Sequence, residues 1–422
     1  MKSPQNPPPP AAPAFPPPRP RPVMGLGRLW TGAEELANVK CVLERKLLNR
    51  FVVPEPESFA ARLEAELAGM VGAKYALAVT SGTGALEVAM GALGLGPGDD
   101  VMVPAWSWTS CFTSIVRVGA RPVLVEVDRS LCFDPAEIRR RMTPRTKALI
   151  VIHFQGAPAN MDAIMAEADR AGLAVIEDCA QSPGACYRGK RVGSMGRIGT
   201  FSFQHWKTIS SGEGGAVVTS DPVLFERAIR MHDIGNYRPV FENRLKPSGK
   251  PFCGSQFRMS ELTAAVALAQ LQKLERVRGH CQALQKVFFE RLGKLKGVEP
   301  RLCHDPAGDS GIECYLHFDP AINRDAFRDE LESHNVNCLA MTSTYCHYLR
   351  PYCAEGLAHA PGASPFRDIG PMPAKGYRAE DFPVTESLYR HMISVPFGVA
   401  YDKDDAVYMA DVLRAAHGKL AR

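Results

Sequence analysis

Two kinds of apolar pattern alternate along much of the chain. Short continuous apolar runs, typical of strands buried on both faces, occur at 75–80, 101–103, 122–127, 148–153 and 174–177. Segments with apolar residues at helical spacing lie between them, at 85–93, 109–118 and 161–171. This alternation predicts an α/β fold in which helices cover a mainly parallel sheet.

Further helical patterns flank this central region. Two precede the first strand, at 31–48 and 57–71, and a long one at 260–295 follows the last. Beyond it we predict a strand at 313–318, a helix at 324–333, a loop-rich stretch at 350–382 and a helix at 404–417. The pattern therefore predicts a large domain with its connecting helix over 29–296 and a smaller α+β domain over 297–422.

The start of the chain has a different composition. Pro7–Pro10 and Pro16–Pro18 are uninterrupted proline runs, which favour extended polyproline geometry and cannot pack a core. No apolar segment typical of a secretory signal is found there. We predict a disordered arm over 1–28; a ligand for a proline-recognising domain is the alternative.

The composition argues against several classes of protein. The 422 residues carry a net charge of +5 with basic residues dispersed, which gives no support to nucleic-acid binding. No apolar run approaches the roughly 20 residues that span a bilayer. The twelve cysteines show no zinc-ligand spacing, so we expect no metal site and reduced thiols in the cytoplasm.

Candidate chemistry centres on Lys207, which lies between a strand at 200–203 and the run Gly212-Glu-Gly-Gly215. A lysine attacks carbonyls when its surroundings lower its pKa. Asp178 follows the strand at 174–177, where a carboxylate could hold a pyridine nitrogen protonated. Together they suggest pyridoxal 5'-phosphate (PLP) as cofactor. A surface lysine and a helix-capping aspartate are the structural alternatives.

Two further segments fit the same cofactor. The turn Thr80-Ser-Gly-Thr-Gly-Ala85 joins a strand to a helix, where free N–H groups bind phosphate. Trp108 follows the strand at 101–103 and could stack on a flat ring. Taken singly, Trp106 or Trp108 could equally be a core or interface residue.

Several motifs together resemble the DegT/DnrJ family of PLP-dependent sugar aminotransferases, which have fold type I. They are Ser81-Gly-Thr-Gly-Ala-Leu86, Gly119-Ala-Arg-Pro-Val123, His153-Phe-Gln-Gly156, Ile176-Glu-Asp-Cys-Ala-Gln-Ser182, Phe201-Ser-Phe203, Lys207, Gly212-Glu-Gly-Gly215 and Phe257-Arg-Met-Ser-Glu-Leu262. The similarity runs from about residue 30 to near the C-terminus. It implies a large PLP-binding domain followed by a small C-terminal domain.

The resemblance also implies roles for individual residues. Lys207 would be the Schiff-base lysine and proton shuttle, and Asp178 would pair with the pyridine nitrogen. The remaining cofactor contacts would be Gln181 at the 3'-hydroxyl, Trp108 on the ring, and Gly82, Thr83 and Ser202 at the phosphate. Gln256 stands where the family generally has an asparagine that completes the phosphate site of the other subunit; glutamine is longer but can also donate an amide hydrogen bond. His153 could contact substrate or be a packed, hydrogen-bonded histidine.

The implied activity is transfer of an amino group from glutamate or glutamine to a keto or aldehyde carbon of a sugar-like acceptor. The implied assembly is a homodimer with composite sites. The alternatives are a sugar dehydratase, in which histidine replaces the lysine, and a non-catalytic regulatory protein. The acceptor is also open, because Gln204 resembles enzymes that aminate keto-cyclitols, whereas 257–262 fits nucleotide-linked keto sugars equally well.

Overall fold

The computed structural model describes residues 14–55, 57–341, 343–366 and 377–420. The α-helices are α1 (Ala33–Arg45), α2 (Phe59–Val71), α3 (Gly82–Leu93), α4 (Thr109–Arg117), α5 (Ala136–Arg141), α6 (Met161–Ala171), α7 (Pro222–His232), α8 (Glu261–Gln272), α9 (Leu274–Leu292), α10 (Arg324–Ser333), α11 (Pro351–Ala354), α12 (Pro383–His391) and α13 (Lys403–Leu420). The strands are β1 (Tyr75–Val79), β2 (Asp100–Pro104), β3 (Arg121–Val125), β4 (Thr146–Ile152), β5 (Ala174–Asp178), β6 (Cys186–Tyr187), β7 (Lys190–Arg191), β8 (Ile198–Ser202), β9 (Gly215–Thr219), β10 (Val298–Pro300), β11 (Glu313–Phe318), β12 (Leu339–Ala340) and β13 (Met392–Pro396).

The central sheet has seven strands in the order β1-β9-β8-β5-β4-β2-β3. β9 is antiparallel to both of its neighbours, and the contacts from β8 through β5, β4 and β2 to β3 are all parallel. The strands β2, β3 and β8 are buried along their whole length, because helices pack on both faces. The predicted α/β fold is confirmed. The carboxyl ends of the parallel strands meet at one edge, where such folds bind ligands.

A second sheet lies in the C-terminal part of the chain. Its order is β10-β11-β13-β12, and every pairing is antiparallel. Helices α9, α10 and α13 contribute buried residues to the apolar core beside it, including Phe288, Phe327 and Leu413. This is the smaller α+β layer that the sequence predicts. No helix among the described ranges is both long enough and apolar enough to cross a bilayer.

The long helical pattern predicted at 260–295 is two helices. Lys273 separates α8 from α9, with φ −90° and ψ −8°. Its Nζ bonds the carbonyl oxygen of Trp30 at 2.8 Å and Glu35 Oε1 at 2.7 Å, so long-range contacts hold the junction. Periodicity does not report such a break, because the apolar spacing continues across it. The prediction of one continuous helix is wrong.

The arm has a defined place where it is described. Residues 1–13 lie outside the described residues, but the Phe15 ring stacks on His334 at 4.0 Å between centroids. Arg19 Nε bonds Asp405 Oδ1 at 3.0 Å, and the Asn337 amide donates to the carbonyl of Pro22 at 2.9 Å. Predicted disorder over 1–28 therefore does not describe residues 14–28. The anchoring groups come from distant parts of the sequence, which composition cannot reveal.

Candidate active site

One cavity of about 580 Å³ opens at the carboxyl ends of β1, β5 and β8. It gathers residues from the central sheet, from the loops after its strands and from the segment after β12. Those used below are Gly82, Thr83, Trp108, Gln155, Asp178, Gln181, Ser202, Gln204, Lys207 and Tyr345. The predicted site residues other than Gln256 are therefore brought together by the fold.

Lys207 lies in the loop that connects β8 to β9. Its N–H donates to the carbonyl of Gln204 at 2.8 Å, and Phe203 N–H donates to Gly214 O at 2.8 Å across the loop. Burial lowers the pKa of the Lys207 amine, although the charge of Asp178 opposes this change. A lysine in this state releases its proton more readily than an exposed one. That is the condition for attack on a carbonyl.

Asp178 is the last residue of β5 and is 5% exposed. Its Oδ1 accepts a hydrogen bond from the N–H of Ala180 at 2.9 Å, and its Oδ2 accepts one from the thiol of Cys111 at 3.1 Å. Burial raises the pKa of the Cys111 thiol well above its ordinary value, and the carboxylate raises it further. The thiol therefore stays protonated and remains a donor.

Sequence reasoning missed Cys111. It lies three residues after Trp108 in the first turn of α4, where its N–H donates to the carbonyl of Trp108 at 3.1 Å. That spacing was the available signal. It could not be used without knowing that α4 faces the end of β5.

The start of α3 forms the part of the cavity suited to a phosphate. Ser81 caps the helix by accepting a hydrogen bond from Gly84 N–H at 2.9 Å, whereas the N–H groups of the first turn have no partner within a helix. A Cβ on Gly82 would lie 2.6 Å from Cβ of Ser202. Gly82 is thus required for this approach, which sets the Ser202 hydroxyl beside the helix terminus. This arrangement binds anions.

The two tryptophans after β2 differ in their surroundings. Trp106 is 1% exposed and stacks on Tyr345 at 5.4 Å, so it belongs to the core. Trp108 is 47% exposed and lies on the cavity, with its ring edge-on to Tyr345 at 5.9 Å. Of the two, Trp108 can stack on a ligand ring. Tyr345 follows from no local sequence signal, since it lies between β12 and α11, where no element was predicted.

Gln181 lies across the cavity on the loop after β5. Its side-chain oxygen accepts the N–H of Gln155 at 3.3 Å, and its carbonyl oxygen accepts the N–H of Gly156 at 3.1 Å. With the oxygen occupied, the amide NH2 is the end that can donate to a ligand.

His153 is fully buried behind the site. Its Nε2 lies 3.0 Å from Oε2 of Glu177, and its Nδ1 accepts the N–H of Ala159 at 3.1 Å. Glu177 also accepts N–H groups from Gly193 and Met195. Although burial alone would raise the pKa of Glu177, these bonds lower it. His153 is therefore the hydrogen-bonded histidine of the two alternatives.

Gln256 lies outside the cavity of its own chain. It is exposed and forms an isolated β-bridge with Asp233. The fold thus separates it from the other predicted cofactor residues. A contact from this residue would have to reach the site of another subunit.

The residues of the cavity fit PLP. An anion site at the start of α3, a carboxylate at the end of β5, a buried lysine and an aromatic face match its phosphate, ring nitrogen, aldehyde and ring. The close approach of Gly82 to Ser202 is the specific evidence for the phosphate end. The fold and site together define a PLP-dependent enzyme.

Known proteins agree with this assignment. The chain belongs to the DegT/DnrJ/EryC1/StrS aminotransferase family, whose model matches residues 32–414. It is similar to 3-amino-5-hydroxybenzoic acid synthase (28% identity, TM-score 0.77, 97% of this chain and 100% of that one). It is also similar to DesI in the presence of its TDP-sugar product (28% identity, TM-score 0.76, 97% of this chain and 95% of that one). A third similar structure is S. venezuelae DesV in complex with a ketimine intermediate (28% identity, TM-score 0.75, 94% of this chain and 98% of that one). The protein is accordingly a PLP-dependent aminotransferase.

Proposed function

We propose that the protein transfers an amino group from glutamate or glutamine to a keto or aldehyde carbon of a sugar-like acceptor, in the biosynthesis of an amino sugar. The observation that carries the proposal is that Lys207 and Asp178 line one cavity, Asp178 at the end of β5 and Lys207 in the loop after the neighbouring strand β8. The similar solved structures include an enzyme with a TDP-sugar product. Lys207 argues against the dehydratase alternative, which has histidine there.

Each residue around the cofactor would have a separate role in the proposed reaction. PLP, when bound, supplies an electron sink that stabilises a carbanion. Asp178 would keep its ring nitrogen protonated, with Cys111 orienting the carboxylate. Nζ of Lys207 would hold the cofactor and, once released, carry a proton to and from the substrate carbon. Trp108 would fix the plane of the ring.

The phosphate would lie at the start of α3, against Gly82, Thr83 and Ser202. Gln181 would donate its amide N–H to the 3'-hydroxyl. Preorganised donors of this kind stabilise charge without reorganising during the reaction.

Other residues that line the cavity support a hydroxylated acceptor. Gln155 and Gln204 provide amide groups, and Trp108 and Tyr345 provide aromatic surface. Amides hydrogen-bond hydroxyl groups, and aromatic faces pack against the apolar faces of sugar rings. A nucleotide-linked keto sugar and a keto-cyclitol both meet this description.

We also propose a homodimer with composite sites, in which Gln256 reaches the phosphate of the partner subunit. Two observations support it: Gln256 is exposed away from its own cavity, and α1 exposes Leu36 and Leu43 by 71% and 55%. Sedimentation of the purified protein as a monomer at micromolar concentration would contradict this proposal.

A cytoplasmic location is supported by the twelve free cysteines.

The function is tested by following ¹⁵N from labelled glutamate or glutamine into a panel of keto sugars and keto-cyclitols by mass spectrometry. Label should appear in one acceptor class with wild-type protein. It should be lost in Lys207→Ala and retained in Lys190→Ala, which changes an exposed lysine on β7. Asp178→Ala should retain part of its cofactor and transfer label slower by roughly two orders of magnitude or more. Label transfer by Lys207→Ala at a rate near that of wild type would refute the proposal.

A further inference from the structure

Arg301 links the two sheets of the protein. It follows β10 in the small domain, is 8% exposed, and donates to two carbonyl oxygens of the large domain, those of Phe154 (3.0 Å) and Gln155 (2.8 Å). Asp309 balances its charge at 3.1 Å. A buried guanidinium with these partners is held in one orientation.

The loop that Arg301 holds has an unusual backbone. Gln155 has φ 43° and ψ 59°, in the left-handed region that residues other than glycine seldom adopt. Gly156 follows with φ 90°. This conformation turns two successive N–H groups towards Gln181, one to its side-chain oxygen and one to its carbonyl. Strain of this kind persists where neighbouring structure enforces it.

A second segment of the small domain packs on the same loop. Ser310 N–H donates to the carbonyl of Gly156 at 3.1 Å. A Cβ on Gly156 would lie 2.5 Å from Oγ of Ser310. Asp309 is tied to this segment because its Oδ1 accepts the N–H of Gly311 at 2.9 Å. Arg301 and the 309–311 segment therefore hold the loop from one side, and Gln181 lies on the other.

We propose that the Arg301–Asp309 ion pair positions the cofactor indirectly, through Gln155 and Gln181. It holds the backbone at Gln155, whose N–H occupies the oxygen of Gln181 and so directs the amide NH2 into the cavity. The inference rests on the proposed function, because it takes the 3'-hydroxyl of PLP as the group that this NH2 meets. The small domain thereby contributes to cofactor binding without touching the cofactor.

The test is a double-mutant cycle on cofactor binding. Arg301→Gln, Gln181→Ala and the double variant are titrated as apoenzymes with PLP. The readouts are the dissociation constant and the pH midpoint of the absorbance band at roughly 400–430 nm. Each single variant should weaken binding about tenfold and raise the pH midpoint, because a donor at the 3'-oxygen favours its phenolate form. The double variant should be no worse than Gln181→Ala, since residues that act through one contact are not additive.

Two controls separate positioning from general loss of structure. Arg324→Ala removes another small-domain arginine, whose Nη1 donates to the carbonyl of Tyr389 outside the cavity lining at 2.9 Å, and should change neither readout. Arg301→Lys keeps the charge beside Asp309 and should restore part of the affinity. If Arg301→Gln does not fold, Arg301→Lys replaces it in the cycle.

The outcomes are distinguishable. Additive losses in the double variant, or a midpoint in the Arg301 variants equal to that of wild type, would overturn this inference and leave the aminotransferase proposal intact. Failure of wild-type protein to bind PLP would overturn both.

Discussion

The thiol of Cys111 donates a hydrogen bond to Oδ2 of Asp178 at 3.1 Å, joining the first turn of α4 to the end of β5. The donor is neutral and remains so, because burial and the carboxylate raise its pKa. A neutral donor orients the carboxylate without cancelling its charge. Asp178 therefore keeps the negative charge that its proposed contact with the ring nitrogen requires.

Replacing this thiol should slow turnover. We expect Cys111→Ala to lower kcat about fivefold, the equivalent of about 1 kcal/mol for one hydrogen bond. Cys111→Ser keeps a donor and should stay within about twofold of wild type. Steady-state kinetics at saturating substrates measure both, with Cys253→Ala as the control for an exposed cysteine. Equal losses in the alanine and serine variants would show that packing, rather than the hydrogen bond, matters.

The lowered pKa of Lys207 predicts how cofactor capture depends on pH. The free amine is the nucleophile, so the rate at which apoenzyme captures PLP should rise with pH and reach its midpoint below the ordinary lysine value of 10.5. The sign follows from burial, which disfavours the charged form. Stopped-flow absorbance between pH 6 and 10 measures this rate. A capture rate that still rises about eightfold between pH 9 and pH 10, as for an ordinary lysine, would contradict the burial argument.

Gly82 should be intolerant of a side chain. Gly82→Ala would force Cβ into Ser202, separate the hydroxyl from the start of α3, and weaken PLP binding by about tenfold or more. Gly69→Ala is the matched control, because Gly69 lies in α2 and an added Cβ meets nothing within 4 Å. That change should preserve cofactor affinity and raise stability by about 0.5–1 kcal/mol. Isothermal titration and chemical denaturation provide the two measurements.

His232 predicts a loss of stability in acid. Burial lowers its pKa from 6.5 to about 4, and its ring packs edge-on against both Phe51 and Phe241. Below pH 6.5 the His232 side chain is protonated in the unfolded chain but stays neutral in the folded protein. The free energy of unfolding should therefore fall as the pH drops towards 4. The loss amounts to about 3 kcal/mol.

The test compares slopes rather than absolute stabilities. Denaturation of His232→Phe between pH 7 and pH 4.5 should show a shallower dependence on pH than wild type, whatever the variant's stability at pH 7. His359→Ala, which changes an exposed histidine, should keep the wild-type slope. An unchanged slope in His232→Phe would mean that other groups cause the acid sensitivity.

The local sequence pattern was sufficient to predict the bounds of an element where its apolar residues alone show which of its sides are buried. The strand at 313–318 and the helices at 161–171 and 324–333 have the predicted bounds. The strand is buried along almost its whole length, and the apolar residues of each helix lie on one buried face. Helix α7 and strand β13 were not predicted, although each has buried apolar residues. The loop-rich prediction at 350–382, of which 367–376 lie outside the described residues, contains α11 and ends where α12 begins.

The sequence by itself determined the α/β fold and the order of its motifs, and it predicted a reactive lysine, because the residues at the strand ends occur in short contiguous runs. Tertiary structure decided which residues face those runs. Cys111 meets Asp178 across 67 positions, and Arg301 meets Gln155 across 146. Such contacts depend on how helices and sheets pack. They cannot be predicted from local sequence, because the donor and the acceptor are brought within hydrogen-bond distance only by the tertiary fold.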